Sequence, residues 1–96
     1  MPIGVVAKLK VQSGKGVELE RVFREMAEKV RASEPGNKFY ALHKSRSDAD
    51  LYVVLEQYVD QAALDQHSNA DYIKRLGPQL GAFLAGAPEV EFFDAV

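Results

Sequence analysis

Two side chains in this sequence have the types and spacing for acid–base chemistry, a carboxylate at Glu56 and an imidazole at His67. Glu56 lies near the end of an apolar run, and His67 follows Leu64 by a helical spacing of three residues. A strand end, a short turn and one helical turn can bring them to the same corner of a core. There the carboxylate would orient the imidazole and raise its basicity, so that His67 acts as a general base. The alternative is a structural hydrogen bond between strand and helix.

The apolar and aromatic neighbours of Glu56 also make it a candidate site residue. On a strand it shares a face with Tyr52, Val54 and Tyr58, because successive side chains point to opposite faces. A carboxylate among such side chains loses hydration, which costs free energy unless a partner compensates. We therefore expect Glu56 to be paired or to lie at the rim of a cavity. The alternative is a glutamate at a strand end that reaches water.

Several ring side chains are candidates for the lining of a pocket that holds a flat organic ligand. They are His43, Tyr52, Tyr72 and Phe83. Aromatic residues at helical or strand spacing also fill ordinary cores, and His43 fits equally well as an exposed histidine near a strand end.

Other kinds of site are excluded by composition and spacing. The chain has no cysteine, which removes disulfides, thiolate metal sites and a cysteine nucleophile. Two histidines and scattered acidic residues give no metal-ligand spacing. The glycines at 14 and 16 form a turn that lacks the remaining residues of a phosphate-binding loop, and no serine lies in a nucleophile elbow. We therefore predict no metal and a catalysis that depends on a pocket and acid–base groups.

Hydrophobic periodicity places these residues in the order strand, helix, strand, strand, helix, strand. The four predicted strands are 3–11, 38–44, 51–58 and 89–95. The first helix is predicted at 17–32, and the second helical region, 62–85, follows the N-cap residue Asp60. This second region can restart near Ser68 or break at Pro78. The order predicts a ferredoxin-like α+β fold, with an antiparallel four-stranded sheet and the helices on one face.

The third predicted strand is apolar on both faces, although the helices of one chain can cover only one of them. One face carries Leu51, Val53 and Leu55, and the other carries aromatic residues and Val54. With 96 residues, the chain forms a single domain, 1–96. An apolar sheet face left bare would be too large for a typical monomer. We therefore predict a homodimer.

Charge and hydropathy limit the possible partners and location. The net charge is −2, and acidic and basic residues are mixed along the chain. This pattern lacks the basic patch typical of binding to nucleic acid or to a membrane surface. No apolar run has the length of a transmembrane span, and the N-terminus does not have the pattern of a secretion signal. We predict a cytoplasmic protein without nucleic-acid or membrane partners.

Two stretches of the sequence resemble motifs of the cofactor-independent antibiotic biosynthesis monooxygenase family. The Glu-Pro-Gly-Asn stretch at 34–37 is similar to the E-x-G-x turn of that family. The run 52–60, followed by His67, resembles its third-strand signature, in which a glutamate, an aromatic two residues later, a cap and a helical histidine recur. The likeness extends over nearly the whole chain, but it does not specify a substrate.

The resemblance implies a dimeric α/β barrel with a pocket between sheet and helices in each subunit. Relatives include quinol monooxygenases, which use O2 as co-substrate and no metal, flavin or haem. It implies that a phenol or quinol loses a proton in a water-poor pocket and that the anion then reacts with O2. Carried over to this chain, Glu56 and His67 are the polar pair, with His67 the base, and Tyr52, Tyr72 and His43 line the pocket.

Two departures from the family pattern bear on this interpretation. Tyr58 stands where the family often has Trp, and the chain contains no Trp. Haem-degrading relatives use an Asn in the first strand, which is absent from 3–11, so the resemblance implies no haem. One alternative is an isomerase or other metabolite-processing enzyme, which would need basic pocket residues such as Lys38, Lys44 or Arg75. Another is a non-catalytic dimer that binds a small ligand.

Overall fold

Four strands form one antiparallel sheet in the computed structural model, which describes residues 1–96. The strands are β1 (Ile3–Lys10), β2 (Asn37–Lys44), β3 (Leu51–Tyr58) and β4 (Glu89–Asp94). Their order across the sheet is β2-β3-β1-β4, which is the arrangement of a split βαβ fold. The predicted fold class, a ferredoxin-like α+β domain, is confirmed.

Three helices pack on one face of this sheet, α1 (Gly16–Ser33), α2 (Gln61–Asn69) and α3 (Asp71–Gly81). The second helical region is interrupted at Ala70, whose backbone is extended with φ −65° and ψ 142°. Pro78 lies inside α3, so it does not end the helix. No helix combines the length and the hydropathy needed to cross a lipid bilayer.

The first helix is held on the sheet by a stripe of large apolar side chains at spacings of three and four residues. The stripe contains Leu19, Phe23, Met26 and Val30, all buried. Each such side chain contributes about 1.5–3 kcal/mol on burial, so this stripe is a main source of stability. The turn before α1 uses Gly14, whose φ of +83° lies in the left-handed region that favours glycine.

The register of β3 decides which of its side chains meet the helices. Tyr52, Val54 and Tyr58 are buried under the helices, and Glu56 shares their face by alternation. Glu56 is also paired with Tyr40 of β2 across the sheet. Glu56, the predicted partner of His67, therefore points between the sheet and the helices, next to Tyr40 of the neighbouring strand.

The other side of the sheet, which we call the open face, is not covered by any element of the chain. Its apolar side chains are Val6, Phe39, Val53, Leu55 and Phe93. Phe39 and Phe93 are 44% and 46% exposed, and every residue of β4 is exposed. This is the apolar surface from which the sequence predicts a homodimer, and the dimer stays a prediction.

Candidate active site

The second helix aims its histidine at the sheet. It begins after Asp60, whose carboxylate accepts a hydrogen bond of 2.9 Å from the backbone N–H of Ala63. This contact is the predicted N-cap, which satisfies one of the unpaired donors of the first helical turn. Ala63, Leu64 and His67 form the buried side of α2, so His67 lies between the helix and β3 with little access to water.

The hydrogen-bond partner of this histidine is Glu34, the residue that follows α1. Both carboxylate oxygens of Glu34 lie 3.1 Å from His67 Nδ1, and Glu34 is only 4% exposed. Tyr72 of α3 donates a second hydrogen bond to Glu34 Oε2. Because an ionised carboxylate only accepts hydrogen bonds, the His67 ring carries a proton on Nδ1. Its Nε2 is thereby left as the nitrogen able to accept a proton.

The second carboxylate, Glu56, approaches that nitrogen. Its Oε1 lies 3.8 Å from His67 Nε2, which is too long for a direct hydrogen bond but short enough for ionic attraction. Tyr58 donates a hydrogen bond of 2.6 Å to the same Oε1. The structure therefore brings Glu56 and His67 together, as the sequence predicts. Together with Glu34, Tyr58 and Tyr72 they form what we call the acid–base cluster.

Burial alters the proton affinities within this cluster. Desolvation raises the pKa of Glu56; the Tyr58 hydrogen bond and His67 oppose this rise, and Glu34 adds to it. Burial and the neighbouring carboxylates also raise the pKa values of the Tyr58 and Tyr72 phenols. The two tyrosines therefore stay protonated and act as hydrogen-bond donors, whereas Glu56 becomes a stronger base than an exposed glutamate.

The cluster is arranged for proton transfer rather than for metal binding. Glu34 and Glu56 approach opposite nitrogens of the His67 ring, so the three side chains do not converge on one point. No group of His, Asp or Glu side chains in the chain is arranged to hold a metal ion. An imidazolium at His67 would lie between two carboxylates.

A cleft of about 600 Å³ lies beside the cluster, between α1 and β2, and we call it the α1–β2 cleft. Its lining includes Phe23, Arg24, Arg31, Tyr40, Leu42, Lys44 and Tyr52. The Tyr40 ring stacks on Phe23 at a centroid distance of 4.7 Å and lies 5.2 Å from the His67 ring. The volume falls within the range of small-molecule sites, about 300–1,000 Å³. The cleft can therefore admit a small aromatic molecule next to the cluster.

The predicted pocket residues separate into two groups. Tyr72 belongs to the acid–base cluster, and Tyr52 lines the cleft, where it donates a 2.6 Å hydrogen bond to Glu20. His43 instead lies exposed on the open face, and Phe83 packs against the main apolar core. The structure therefore does not bring His43 or Phe83 to the cluster.

Glu34 and Tyr40 belong to this site, although the sequence predicts neither as a site residue and marks Glu34 only as part of the 34–37 turn. Glu34 falls in a turn, and Tyr40 alternates as an ordinary residue of β2. The available signal was the glycine of the turn: a Cβ on Gly36 would lie 2.5 Å from the Cβ of Ala63. This close approach, which needs glycine, holds the turn against α2 and so keeps Glu34 beside His67.

The fold and the site together define a small ferredoxin-like protein with a buried acid–base cluster beside an aromatic cleft. The sequence profile of the antibiotic biosynthesis monooxygenase family matches residues 2–77. The chain belongs to this family, and the membership indicates a monooxygenase-type function.

Solved structures agree with this assignment. A protein of Caulobacter crescentus CB15, described as a candidate antibiotic biosynthesis monooxygenase, is 47% identical over 99% of this chain and 90% of that one, with a TM-score of 0.95. Another antibiotic biosynthesis monooxygenase is 30% identical over 98% of both chains, with a TM-score of 0.89. A variant of SnoaB, a cofactor-independent oxygenase of Streptomyces nogalater, is 22% identical over 98% of this chain and 92% of that one; its TM-score of 0.85 shows a shared fold. No curated protein sequence matches the chain.

Proposed function

We propose that this protein is a cofactor-independent monooxygenase that oxidises a small phenolic or quinol-type substrate with O2. The observation that carries the proposal is the buried His67 imidazole, which lies between the carboxylates of Glu34 and Glu56 and beside an aromatic cleft. The description of the SnoaB relative as a cofactor-independent oxygenase supports the absence of a bound cofactor.

In this proposal the protein supplies a base and a water-poor environment. His67 Nε2 is the final acceptor of the phenolic proton, Glu34 holds the Nδ1–H, and Glu56 stabilises the resulting imidazolium. Burial of the cluster keeps water away from the substrate anion, which would otherwise be reprotonated. The electron-rich anion then passes one electron to O2, and the two radicals combine to form a carbon–oxygen bond. Tyr52 and Tyr72 contribute to the surroundings of the substrate.

The proposal extends to the assembly and the location of the protein. We propose a homodimer in which the open faces of two chains pack together, since Phe39 and Phe93 are each nearly half exposed in one chain. A closed two-fold dimer would bury the same surface of both copies. We also keep the proposal of a cytoplasmic location, which depends on sequence composition.

Oxygen consumption with a panel of hydroquinones tests the proposed activity. Protein treated with a chelator is expected to consume O2 and to release an oxygenated product. His67→Ala is expected to lower kcat/KM by at least about 100-fold, the lower end of the usual contribution of a general base. Ser68→Ala is the matched control, because Ser68 is the exposed neighbour on the same helix.

Three results would contradict the proposal, each in a distinct way. Ligand binding without O2 consumption would favour the non-catalytic dimer. Conversion of a substrate without O2 would favour an isomerase; of the basic residues named for that alternative, Lys44 lines the cleft, whereas Arg75 lies 3.5 Å from Glu25. Full activity of His67→Ala would remove the role assigned to the histidine.

A further inference from the structure

Tyr40 differs from the other tyrosines of the chain because its hydroxyl makes no hydrogen bond. The others donate to carboxylates: Tyr52 to Glu20, Tyr58 to Glu56 and Tyr72 to Glu34. The only side-chain oxygen that is fully buried without a partner belongs to Glu18, so the unpaired Tyr40 oxygen keeps some exposure. A phenol that is unpaired and reachable is available to a ligand.

The position of Tyr40 makes it the contact between the α1–β2 cleft and the acid–base cluster. Its ring stacks on Phe23 in the cleft wall at 4.7 Å. The same ring lies 5.2 Å from the His67 ring, at an interplanar angle of 58°. Neither Glu56 nor His67 lines the cleft, whereas Tyr40 does. A ligand in the cleft would therefore meet the tyrosine before it meets the histidine.

The Oε2 atom of Glu56 is available to receive a proton from the direction of Tyr40. Both close contacts of Glu56, from Tyr58 and from His67, are made to Oε1. Oε2 accepts no hydrogen bond within the chain. Tyr40 is the direct cross-strand neighbour of Glu56, and neighbours of this kind have Cβ atoms about 5 Å apart. The relay requires that a change in side-chain conformation, or one water, connect the Tyr40 hydroxyl with this oxygen.

The charges around Tyr40 favour a neutral phenol that passes protons on. Burial raises its pKa, and the negative charges of Glu56 and Glu34 add to the rise. A stable Tyr40 phenolate is therefore disfavoured. A neutral hydroxyl can still accept one proton on its oxygen while it gives up its own, without an ionised intermediate.

We propose that Tyr40 is a catalytic residue that binds the hydroxyl of a phenol in the α1–β2 cleft and relays its proton to the Glu56–His67 pair. The phenol O–H bond breaks as Tyr40 Oη accepts its proton, and the original Tyr40 proton moves to Glu56 Oε2. Glu56 then shares this proton with His67. Two O–H bonds break and two form, nothing is oxidised or reduced, and Tyr40 keeps a hydrogen bond to the new phenolate.

The rim of the cleft supports a ligand that becomes an anion. Arg31 and Lys44 line the cleft without an ion pair to any carboxylate of the chain, and together with Arg24 they outnumber the two carboxylates of the lining, Glu20 and Glu28. Their charges favour a phenolate over a neutral or cationic ligand. The site described by these contacts therefore takes an ionisable phenol. This inference rests on the proposed function only for the later reaction with O2, because the proton transfer itself needs no oxygen.

Binding of 4-nitrophenol tests the relay, because its absorbance distinguishes the phenol from the phenolate. Bound to the wild-type protein, the probe is expected to show an ionised-to-neutral ratio about tenfold above that of the free probe at the same pH. Tyr40→Phe keeps the ring but removes the hydroxyl, and is expected to bring the ratio back to the solution value. Glu56→Gln, which removes the proton acceptor, is expected to have the same effect while it still binds the probe.

The control variant is Arg21→Gln, which removes a positive charge from an exposed position of α1 outside the cleft. It is expected to keep the wild-type ratio, so that a general change of charge is separated from the loss of the relay. In turnover, Tyr40→Phe is expected to lower kcat at least tenfold with little change in KM.

The outcomes separate the relay from the proposed function. The relay is overturned if Tyr40→Phe keeps the wild-type ionised fraction, or if 4-nitrophenol does not bind at millimolar concentration. If the probe ionises in a Tyr40-dependent way but no hydroquinone consumes O2, the relay stands and the monooxygenase proposal fails. If O2 is consumed and Tyr40→Phe keeps the wild-type kcat, the monooxygenase proposal stands and the relay fails.

Discussion

The two faces of the sheet are built from the same strands, but they differ in what their side chains can do. On β3, the helix-covered face carries Tyr52, Glu56 and Tyr58, whereas the open face carries Val53 and Leu55. On the covered face, tyrosine hydroxyls, carboxylates and one imidazole are enclosed by helices. On the open face, apolar side chains stand exposed in the single chain.

The difference shows that burial of polar groups and exposure of apolar groups serve separate purposes. On the covered face, Glu34 and His67 are only 4% and 8% exposed, so few water molecules compete for their hydrogen bonds and each contact has a large effect. The open face offers a mainly apolar area, which suits association with a second copy. Substitutions on one face should therefore change catalysis, and substitutions on the other should change assembly.

The largest expected effect is on the covered face, from Glu34→Gln. The neutral amide cannot stabilise a charged imidazole, and the Tyr72 hydroxyl loses an ionised acceptor. We expect kcat/KM for O2 consumption to fall by about 100-fold, with the dimer unchanged. Glu25→Gln, an exposed carboxylate of α1, is the matched control. Equal activity of the two variants would show that Glu34 has only a structural role.

A comparable effect of a different kind is expected from Leu55→Glu on the open face. The side chain lies at the surface of the single chain, so the variant should fold, but a dimer would bury two like charges against apolar side chains. We expect the dimer dissociation constant to rise at least about 100-fold, measured by sedimentation. Arg21→Glu places a glutamate on the exposed side of α1 instead, and the mass measured by sedimentation should stay that of the wild-type protein. A Leu55→Glu protein that keeps the mass of two chains would refute the proposed interface.

The smallest expected effect is the pH dependence of stability that Glu56 causes. Its pKa is raised in the folded protein, mainly by desolvation, so the folded state binds this proton more tightly than the unfolded state does. The stabilising contribution is complete below the ordinary value of 4.5 and is lost as the pH rises through the folded-state pKa. Glu56→Gln should therefore gain stability relative to wild type as the pH rises, in thermal unfolding at pH 4 and pH 8. A difference in Tm that is the same at both pH values would contradict this.

Local patterns in the sequence were enough to predict most of the fold. The strand 51–58 was predicted with the bounds that β3 has, because alternation and a polar loop mark its limits. Asp60 was predicted as an N-cap from its residue type and place before a helical pattern, and its hydrogen bond confirms this. Such signals depend on backbone geometry over a few residues, and they need no knowledge of distant contacts.

The ion pairs on α1 show where local patterns stop being sufficient. Glu20 and Arg24 are four residues apart on α1, as are Glu25 and Lys29, and this spacing permits an ion pair in both cases. The first forms at 3.4 Å, but Glu25 instead lies 3.5 Å from Arg75 of α3. Helical spacing makes a contact possible, whereas the packing of another helix decides whether a competing partner is closer.

The residues of the candidate site were likewise predicted only in part from the sequence, and the tertiary structure decided the rest. Residue types and spacing alone indicated Glu56 and His67, because a strand end and the first turns of the next helix are close in sequence. Only the tertiary structure placed Glu34 on His67 Nδ1 and left the Tyr40 hydroxyl unpaired beside the cleft. These two facts depend on how the turn after α1 packs against α2 and how α1 packs on β2. Contacts between segments distant along the chain are decided by the packing of the whole core, and no local pattern records them.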